Sequence, residues 1–324
     1  MKAGLRILSP GLGATVQDLG RSHARHLGVP PSGALDDYAH RVANWLVGNA
    51  ATCATLEMTV IGPQVEILAP ADIAVTGARM DLRLNSGAQR QWTSFRVQPG
   101  DVLELGLAEN GCRSYLAVTG GIAVPEMLGS RSTYLGGMLG GFKGRALAGG
   151  DLLPLPRDNR PLLERPRCLP WTPLYPDNIV LRAIPGPHDR FFRQGLDCFF
   201  TSTFTFSPRS NRMGCRLSGP VVSRDPGAPA SIVSEPVVAG NIQIPADGQP
   251  ILLLREQTIG GYTAIATVIS ADLWRIGQAK PGDTVRFVRV ALAEGQHLSL
   301  EWLRFLADTE RLLAGGAQHD PCTG

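Results

Sequence analysis

Near the carboxyl end of this 324-residue chain, the apolar run 250–254 delivers Arg255-Glu256-Gln257-Thr258-Ile259-Gly260-Gly261-Tyr262, and the apolar stretch 263–269 then carries the chain away. A buried strand that ends in amide, hydroxyl and charged groups beside paired glycines is a common way to build a ligand site. The Gly260-Gly261 pair lets backbone approach a ligand closely, or it simply makes a turn. A second polar cluster, Ser210-Asn211-Arg212-Met213-Gly214-Cys215-Arg216-Leu217, lies upstream. In the first half, Gln17, Asp18, Ser32 and Asp36 fall in loops and at a helix start. Asp36 suits either a helix-terminus carboxylate or a ligand contact. Ser130-Arg131-Ser132 could hold a phosphate or carboxylate, because an arginine fork matches such anions; it could equally be a solvated turn.

Several familiar chemistries are disfavoured. His23 and His26 are three apart with no third ligand near in sequence, so no metal site is expected. Gly141-Phe142-Lys143-Gly144 lacks the glycine spacing and the following Ser or Thr of a phosphate loop, and no Gly-x-Ser-x-Gly elbow occurs.

The elements that must position these residues are mostly strands. The chain has 38 glycines, 25 prolines and few aromatics, with 44% hydrophobic residues. That balance suits many short strands joined by tight turns, in two domains with real cores. The expected architecture is mainly β with a few helices, in two β-barrel domains. Strands are expected at 64–68, 72–77, 115–120, 178–184 and 284–290. A helix is expected over 35–47, where Ala39, Val42, Ala43, Leu46 and Val47 recur at three- and four-residue steps. Another is expected to begin at Pro187-His188-Asp189, and a closing helix spans 297–313. Residues 136–150, dense in glycine, read as a mobile loop or lid. The boundaries read as a first domain over 1–155, a proline-rich linker over 156–176, a second domain over 177–314, and a disordered tail over 315–324. Pro99-Gly100-Asp101 and Pro281-Gly282-Asp283 each precede a strand late in their half, a hint of two related domains.

The formal charge of +3 comes almost wholly from scattered arginines rather than a basic stripe, so no nucleic-acid partner is expected. No apolar run approaches the roughly 20 residues that span a bilayer, and residues 1–6 do not resemble a signal peptide. Six cysteines without a Cys-x-x-Cys pair read as small buried hydrophobes in a reducing compartment, with the cytoplasm as the default.

The ordered motifs Gln17-Asp18-Leu19-Gly20-Arg21, Gly28-Val29-Pro30-Pro31-Ser32-Gly33-Ala34-Leu35-Asp36, Gly129-Ser130-Arg131-Ser132-Thr133-Tyr134, Gly186-Pro187-His188, Arg212-Met213-Gly214, Ser234-Glu235-Pro236-Val237, Gln257-Thr258 and Gly260-Gly261-Tyr262 cover nearly the whole chain. In them the chain resembles the allophanate hydrolase subunit 2 family, also called the 5-oxoprolinase C-component or biotin-dependent carboxyltransferase-like family. The resemblance implies a pair of cyclophilin-like β-barrel domains acting beside a smaller B component of the kinase-inhibitor type. It also implies a LamB/YcsF-type A component, with which the complex uses ATP to open the lactam of 5-oxoproline to glutamate. A related implication is carboxyl transfer from carboxybiotin to urea or an amide. The biotin would come from a separate carrier, since no Met-Lys-Met segment is present. A non-catalytic antagonist of a sensor-kinase inhibitor is the third possibility.

An amide gains charge on oxygen only in its transition state, so a useful site offers preorganised donors with a carboxylate to manage protons. On that basis Arg212, Glu235 and Gln257 are the candidate catalytic residues. Gln243, Thr258, Gly260, Gly261, Tyr262, Ser130, Arg131, Ser132, Gln17, Asp18 and Asp36 are candidates for binding substrate. The competing reading pairs Arg212 with Glu235 in a structural salt bridge. The chain departs from the family at Arg255-Glu256, where Asp-Arg is usual, at Asn211 for aspartate, and at Ile259 for threonine. On a strand, a one-residue displacement would send a side chain to the opposite face.

Overall fold

The computed structural model describes residues 2–156 and 162–315, so residues 316–324 of the expected tail and the linker residues 157–161 lie outside the described residues. The chain forms two compact units. One comprises residues 1–23 and 32–175 with the final part of the chain from Leu306; the other comprises Ala24–Pro31 and Pro176–Phe305.

The first unit is a nine-stranded sheet. Its strands are β1 (Lys2–Ser9), β2 (Thr15–Gln17), β3 (Thr55–Thr59), β4 (Gln64–Ile67), β5 (Ala71–Leu84), β6 (Gly87–Ala88), β7 (Ser94–Val97), β8 (Val102–Val118) and β9 (Leu152–Leu155). They run in the order β2-β3-β8-β4-β1-β9, and β5 pairs with β6, β7 and β8. The stretches 72–77 and 115–120 turn out to be the paired ends of two long strands, β5 and β8, with Ile73 opposite Val118 and Leu84 opposite Leu103. Three register shifts between Gly77 and Leu82 interrupt the alternation, so a period-two pattern is lost along their middle. Leu5, Ile7, Leu56, Met58, Val65, Ile67, Ile73 and Leu116 bury their side chains in the core of this sheet.

Helix α1 (Asp37–Leu46) lies where its periodicity placed it and buries Tyr38, Ala39, Val42, Ala43 and Leu46. Asp36 is its N-cap: its Oδ1 accepts the Ala39 amide at 2.9 Å. His40 on this helix is fully buried, its Nδ1 2.9 Å from Thr55 Oγ1 and its Nε2 3.0 Å from Ala51 O. Burial pushes its pKa down from 6.5 to about 4. The unfolded chain therefore takes up a proton near pH 6.5 that the folded chain refuses until about pH 4. Stability is expected to fall across that window as the pH drops, by roughly 3 kcal/mol in all. Denaturant titrations at pH 7 and pH 4 check this, and His40→Asn should flatten the difference.

Three other features of the chain differ from what residue types imply. The glycine-dense stretch is closely packed against its own chain. Gly141 donates to Arg131 O at 3.1 Å and lies so near Thr133 that a Cβ would overlap that hydroxyl. The part of the proline-rich segment that is described lies along the first unit: Arg167 Nη1 donates to Trp45 O at 2.9 Å, and Trp171 Nε1 to the Tyr38 hydroxyl at 3.2 Å. Cys53, Cys112, Cys198 and Cys215 are free thiols, but Cys168 is disulfide-bonded, against the expectation of reduced cysteines.

The second unit is a closed seven-stranded barrel. Its strands are β10 (Asn178–Pro185), β11 (Thr203–Phe206), β12 (Gly214–Ser218), β14 (Asn241–Ile244), β15 (Ile251–Leu253), β17 (Thr263–Val268) and β18 (Thr284–Arg289). Between them, β13 (Glu235–Pro236) and β16 (Ile259–Gly260) form a separate two-stranded ribbon. One parallel pair, β10 with β18, closes the barrel; its other pairs are antiparallel. Phe199, from helix α2 (Arg193–Thr201), stacks on Phe287 with centroids 4.6 Å apart. The helix expected from Pro187 is a 3₁₀ turn, Asp189–Phe191, followed by α2. After the short α3 (Leu273–Ile276), the closing helix α4 (Leu292–Ala314) begins earlier than its leucine spacing indicated, and its Trp302 stacks on Trp274 at 5.7 Å. The Pro-Gly-Asp echo is structural. Asp101 Oδ2 accepts Gln98 N at 2.7 Å, and Asp283 Oδ2 accepts Lys280 N at 3.0 Å, so each unit builds the same turn before a strand.

Candidate functional site

The polar residues of the first unit serve that unit. Asp18, 6% exposed, sits in a nest of donors. Its Oδ1 accepts from Ser130 Oγ at 2.6 Å, Ser132 Oγ at 2.5 Å and Gly20 N at 2.8 Å, and its Oδ2 accepts Arg131 N at 2.6 Å. Burial pushes the carboxyl pKa up, but hydrogen bonds from Ser130, Ser132, Arg131 and Gly20 outweigh it and hold the group below its ordinary value. The Ser130 and Ser132 hydroxyls and the Arg131 amide thus engage the Asp18 carboxylate of the same unit. The Arg131 side chain turns to Glu126 at 3.4 Å and donates to Val124 O at 3.1 Å. Gln17, fully buried, donates to Thr15 Oγ1 and Thr133 O and accepts Gly33 N, all at 3.1 Å. Asp36 adds to its cap a bond from the Tyr175 hydroxyl at 3.1 Å. Its own N–H donates to Tyr115 Oη at 2.9 Å, and that hydroxyl donates to Glu57 Oε2 at 2.8 Å.

In the second unit, strand register separates residues that adjacency in sequence had grouped. Gly214 pairs with Leu253 and Arg216 with Ile251, while Gln243 pairs with Ile251 and Ile244 with Thr263. Arg212, just before Gly214, and Glu256, just after Leu253, therefore meet at one end of the strands. Arg212 Nε donates to Glu256 Oε1 at 2.6 Å, with the two side chains 13% and 5% exposed. Arg212 pairs with Glu256, not Glu235. Arg255 and Glu256 occupy a turn after β15 rather than a strand, so the face-flipping rule does not govern this departure. Asn211 closes a tight turn, its Oδ1 accepting Met213 N at 2.8 Å.

From that turn the chain runs into the β13–β16 ribbon and toward the other end of the strands. Thr258 O accepts Val237 N at 3.1 Å, Glu235 lies opposite Gly260, and Gly261 O accepts Ile232 N at 2.8 Å. Gln243 is almost fully buried, and its Nε2 donates to Tyr262 O at 3.2 Å. Gly260 packs against that amide: a Cβ there would overlap Gln243 Nε2, so the amide would have to shift. Tyr262 is 41% exposed, and Thr263 buries a hydroxyl with no hydrogen-bond partner among the described residues.

The structure adds His188, which residue type alone did not nominate. It follows β10, and its Nδ1 accepts the Ala264 amide at 3.1 Å while its ring stacks on Phe191 at 6.0 Å. Glu235 Oε1 stands 3.7 Å from the same Nδ1, with the histidine and glutamate side chains 12% and 38% exposed. A lone histidine after Gly-Pro gives no hint of this; only the return of β17 beside residue 188 brings it to Glu235. His188, Glu235, Gln243, Gly260 and Tyr262 together form a donor-and-carboxylate cluster at one end of the barrel. Such a cluster can polarise a carbonyl and accept a proton. Gln257 and Thr258 immediately precede the ribbon strand β16. Among the described residues, no group of three His, Cys, Asp or Glu could hold a metal ion, and no helix is long and apolar enough to cross a membrane.

A family model described as carboxyltransferase domain, subdomain A and B, matches residues 27–289. The chain is 40% identical over 296 residues to the 5-oxoprolinase C subunit of Escherichia coli (strain K12), covering 90% of this chain and 92% of that one. It is 35% identical over 326 residues to urea amidolyase of Lachancea kluyveri, covering 92% of this chain but 18% of that protein. Among solved structures, the urea amidolyase of K. lactis superposes with a TM-score of 0.85 at 32% identity, over 95% of this chain and 20% of that one. The chain thus spans nearly all of the bacterial relative and about a fifth of the urea amidolyases.

Proposed function

Since the chain belongs to the carboxyltransferase domain, subdomain A and B, family, we propose that it is the C subunit of a 5-oxoprolinase-type complex, which opens the lactam of 5-oxoproline to glutamate with ATP. The observation that carries this reading is 40% identity to a 5-oxoprolinase C subunit along 92% of that protein's length. The barrel-end cluster supports it. A lactam carbonyl needs a donor that strengthens as charge grows on oxygen; His188 stands beside the Glu235 carboxylate, whose strand partner Gly260 packs on the Gln243 amide. In this reading Arg212, through Glu256, fixes the turn from which Gln257 and Thr258 approach substrate, and Glu235 manages the proton. The two units act as the two domains of one protein. In this reading ATP belongs to the assembled complex, and the Ser130 and Ser132 hydroxyls and the Arg131 amide serve Asp18. ATP would be consumed with the LamB/YcsF-type A component and the kinase-inhibitor-type B component.

The test is reconstitution with those two partners. ATP-dependent production of glutamate from 5-oxoproline is expected, and its absence in the full complex would sink the reading. A second reading rests on the urea amidolyase likeness, in which the same cluster would hold an acceptor amide for carboxyl transfer from a separate biotinylated carrier. Carboxylation of urea by the chain with such a carrier, in place of 5-oxoproline turnover, would favour it.

A further inference from the structure

The ribbon that carries Glu235 is too short to hold itself in place. Strands β13 and β16 pair over two residues each, Glu235 with Gly260 and Pro236 with Ile259, and they stand outside the barrel sheet. An isolated two-stranded ribbon is marginally stable in water, so contacts from elsewhere must fix it. One is the packing of Gly260 on the Gln243 amide. Another comes from 212 residues away: Arg25 Nη1 donates to Val237 O at 2.9 Å, on the residue whose own N–H donates to Thr258 O at 3.1 Å. Residues 24–31 belong to the second unit, although in sequence they lie inside the first half of the chain. Within that piece Gly28 N donates to Arg25 O at 2.9 Å and Val29 N to Ala24 O at 3.3 Å, with Ala24 buried, so the loop that presents Arg25 is itself closed. Arg25 forms no ion pair among the described residues, and its side-chain hydrogen bond there is the one to Val237 O. The half-buried guanidinium is therefore committed to the backbone of this ribbon.

We propose that Arg25 is a positioning residue: by holding Val237 O it sets the ribbon, and through the ribbon the Glu235 carboxylate two residues earlier. The proposal rests on the reading above and gives that reaction a residue from the first half of the chain. Glu235 is 38% exposed and stands 3.7 Å from His188, beyond hydrogen-bond distance, so no side-chain bond among the described residues fixes it. Its place is set by its backbone, and the backbone is set by the Gly260 contact and by Arg25. A hydrogen bond from a charged donor is stronger than one between neutral groups, which suits a single contact to this task. A carboxylate that takes a proton in the transition state loses rate steeply when displaced, by roughly a hundredfold for 1 Å. Because Arg25 neutralises no carboxylate among the described residues, its removal strands no buried charge. Its effect on turnover is thereby separable from any effect on folding.

The test makes Arg25→Ala, Arg25→Lys and Glu235→Gln in the full chain. Amide hydrogen exchange over residues 231–241 is followed by mass spectrometry, and steady-state turnover of 5-oxoproline is measured in the reconstituted complex. In Arg25→Ala the ribbon amides should exchange at least about tenfold faster. Its kcat should fall by about 10- to 100-fold, with KM within about threefold, because the lost interaction serves the transition state. Arg25→Lys should recover part of kcat and of the protection, since one donor suffices for one carbonyl and no planar fork is in use. In the Glu235→Gln background Arg25→Ala should cost little more, because it acts through that carboxylate. Unchanged exchange in Arg25→Ala, unchanged kcat in a complex that turns over, or an undiminished further loss in the Glu235→Gln background overturns the proposal. If the unmodified complex shows no turnover, the proposed reaction falls and exchange alone decides: faster exchange upholds Arg25 as the holder of the ribbon, and unchanged exchange removes it.

Discussion

Asp18→Ala is expected to destabilise the first unit by about 3–5 kcal/mol, enough to unfold a marginal domain at moderate temperature. The change strips one acceptor group from two serine hydroxyls and two backbone amides, all in a site that water scarcely reaches. Backbone N–H groups of Gly20 and Arg131 cannot turn to find another partner, so they carry the full cost of desolvation. Asp18→Asn should be milder, because one oxygen remains, though its NH₂ must then face a donor. The pH dependence has a definite sign. The folded carboxyl titrates below its ordinary value, so its stabilisation is complete above about pH 4 and is lost as the pH falls through the depressed value. With His40, which weakens the same unit from pH 6.5 down to about 4, acid sensitivity should come in two successive stages. Denaturant midpoints measured from pH 7 to pH 2 would resolve them. A change under about 1 kcal/mol in Asp18→Ala at pH 7 would mean that the nest reorganises around water, contrary to the cost of stranding four donors.

Arg212→Ala carries the second large effect. It leaves the Glu256 carboxylate, 5% exposed, without its guanidinium partner, and breaking a buried pair from one side typically costs about 3–5 kcal/mol. The pair fixes the turn that launches Gln257 and Thr258, so catalytic turnover in the complex should fall together with stability. The double variant Arg212→Ala/Glu256→Gln should recover part of the stability, because no unpaired charge is then buried. Recovery of stability without recovery of turnover would identify the pair as positioning the loop. Full activity in Arg212→Ala would remove any role for the turn. Arg212→Lys should rescue poorly, since a point charge replaces a planar fork.

Both effects concern pairings that residue order hides. Residue types leave Ser130, Arg131 and Ser132 open between an anion site and a solvated turn and offer Asp18 as a binding candidate, without linking those donors to a carboxylate 112 residues away. They set Arg212 against Glu235, and Glu256 stands out only as a departure from the family pattern. Asp36 could be read from its place before an apolar periodic run, because an N-cap is a local device. The strand 284–290, the helix over 35–47 and the Pro-Gly-Asp turns were legible for the same reason. Local hydrogen bonds and side-chain periodicity leave their marks within a few residues. The long β5 and β8 strands were not, because bulges reset the alternation that would have announced them.

By itself, then, the amino-acid sequence determined the family and the β-rich two-part architecture. Those follow from composition, motif order and short-range pattern. The tertiary structure decided which charges meet. Closure of the barrel puts Glu256 on Arg212 at one end of the strands, and the return of β17 past residue 188 puts a histidine beside Glu235 near the other. Register, set by pairing between strands distant in sequence, determines such contacts; a shift of two residues along a strand moves a side chain by about 7 Å. That is more than the span of any hydrogen bond, so no inspection of neighbouring letters could have chosen between Glu235 and Glu256.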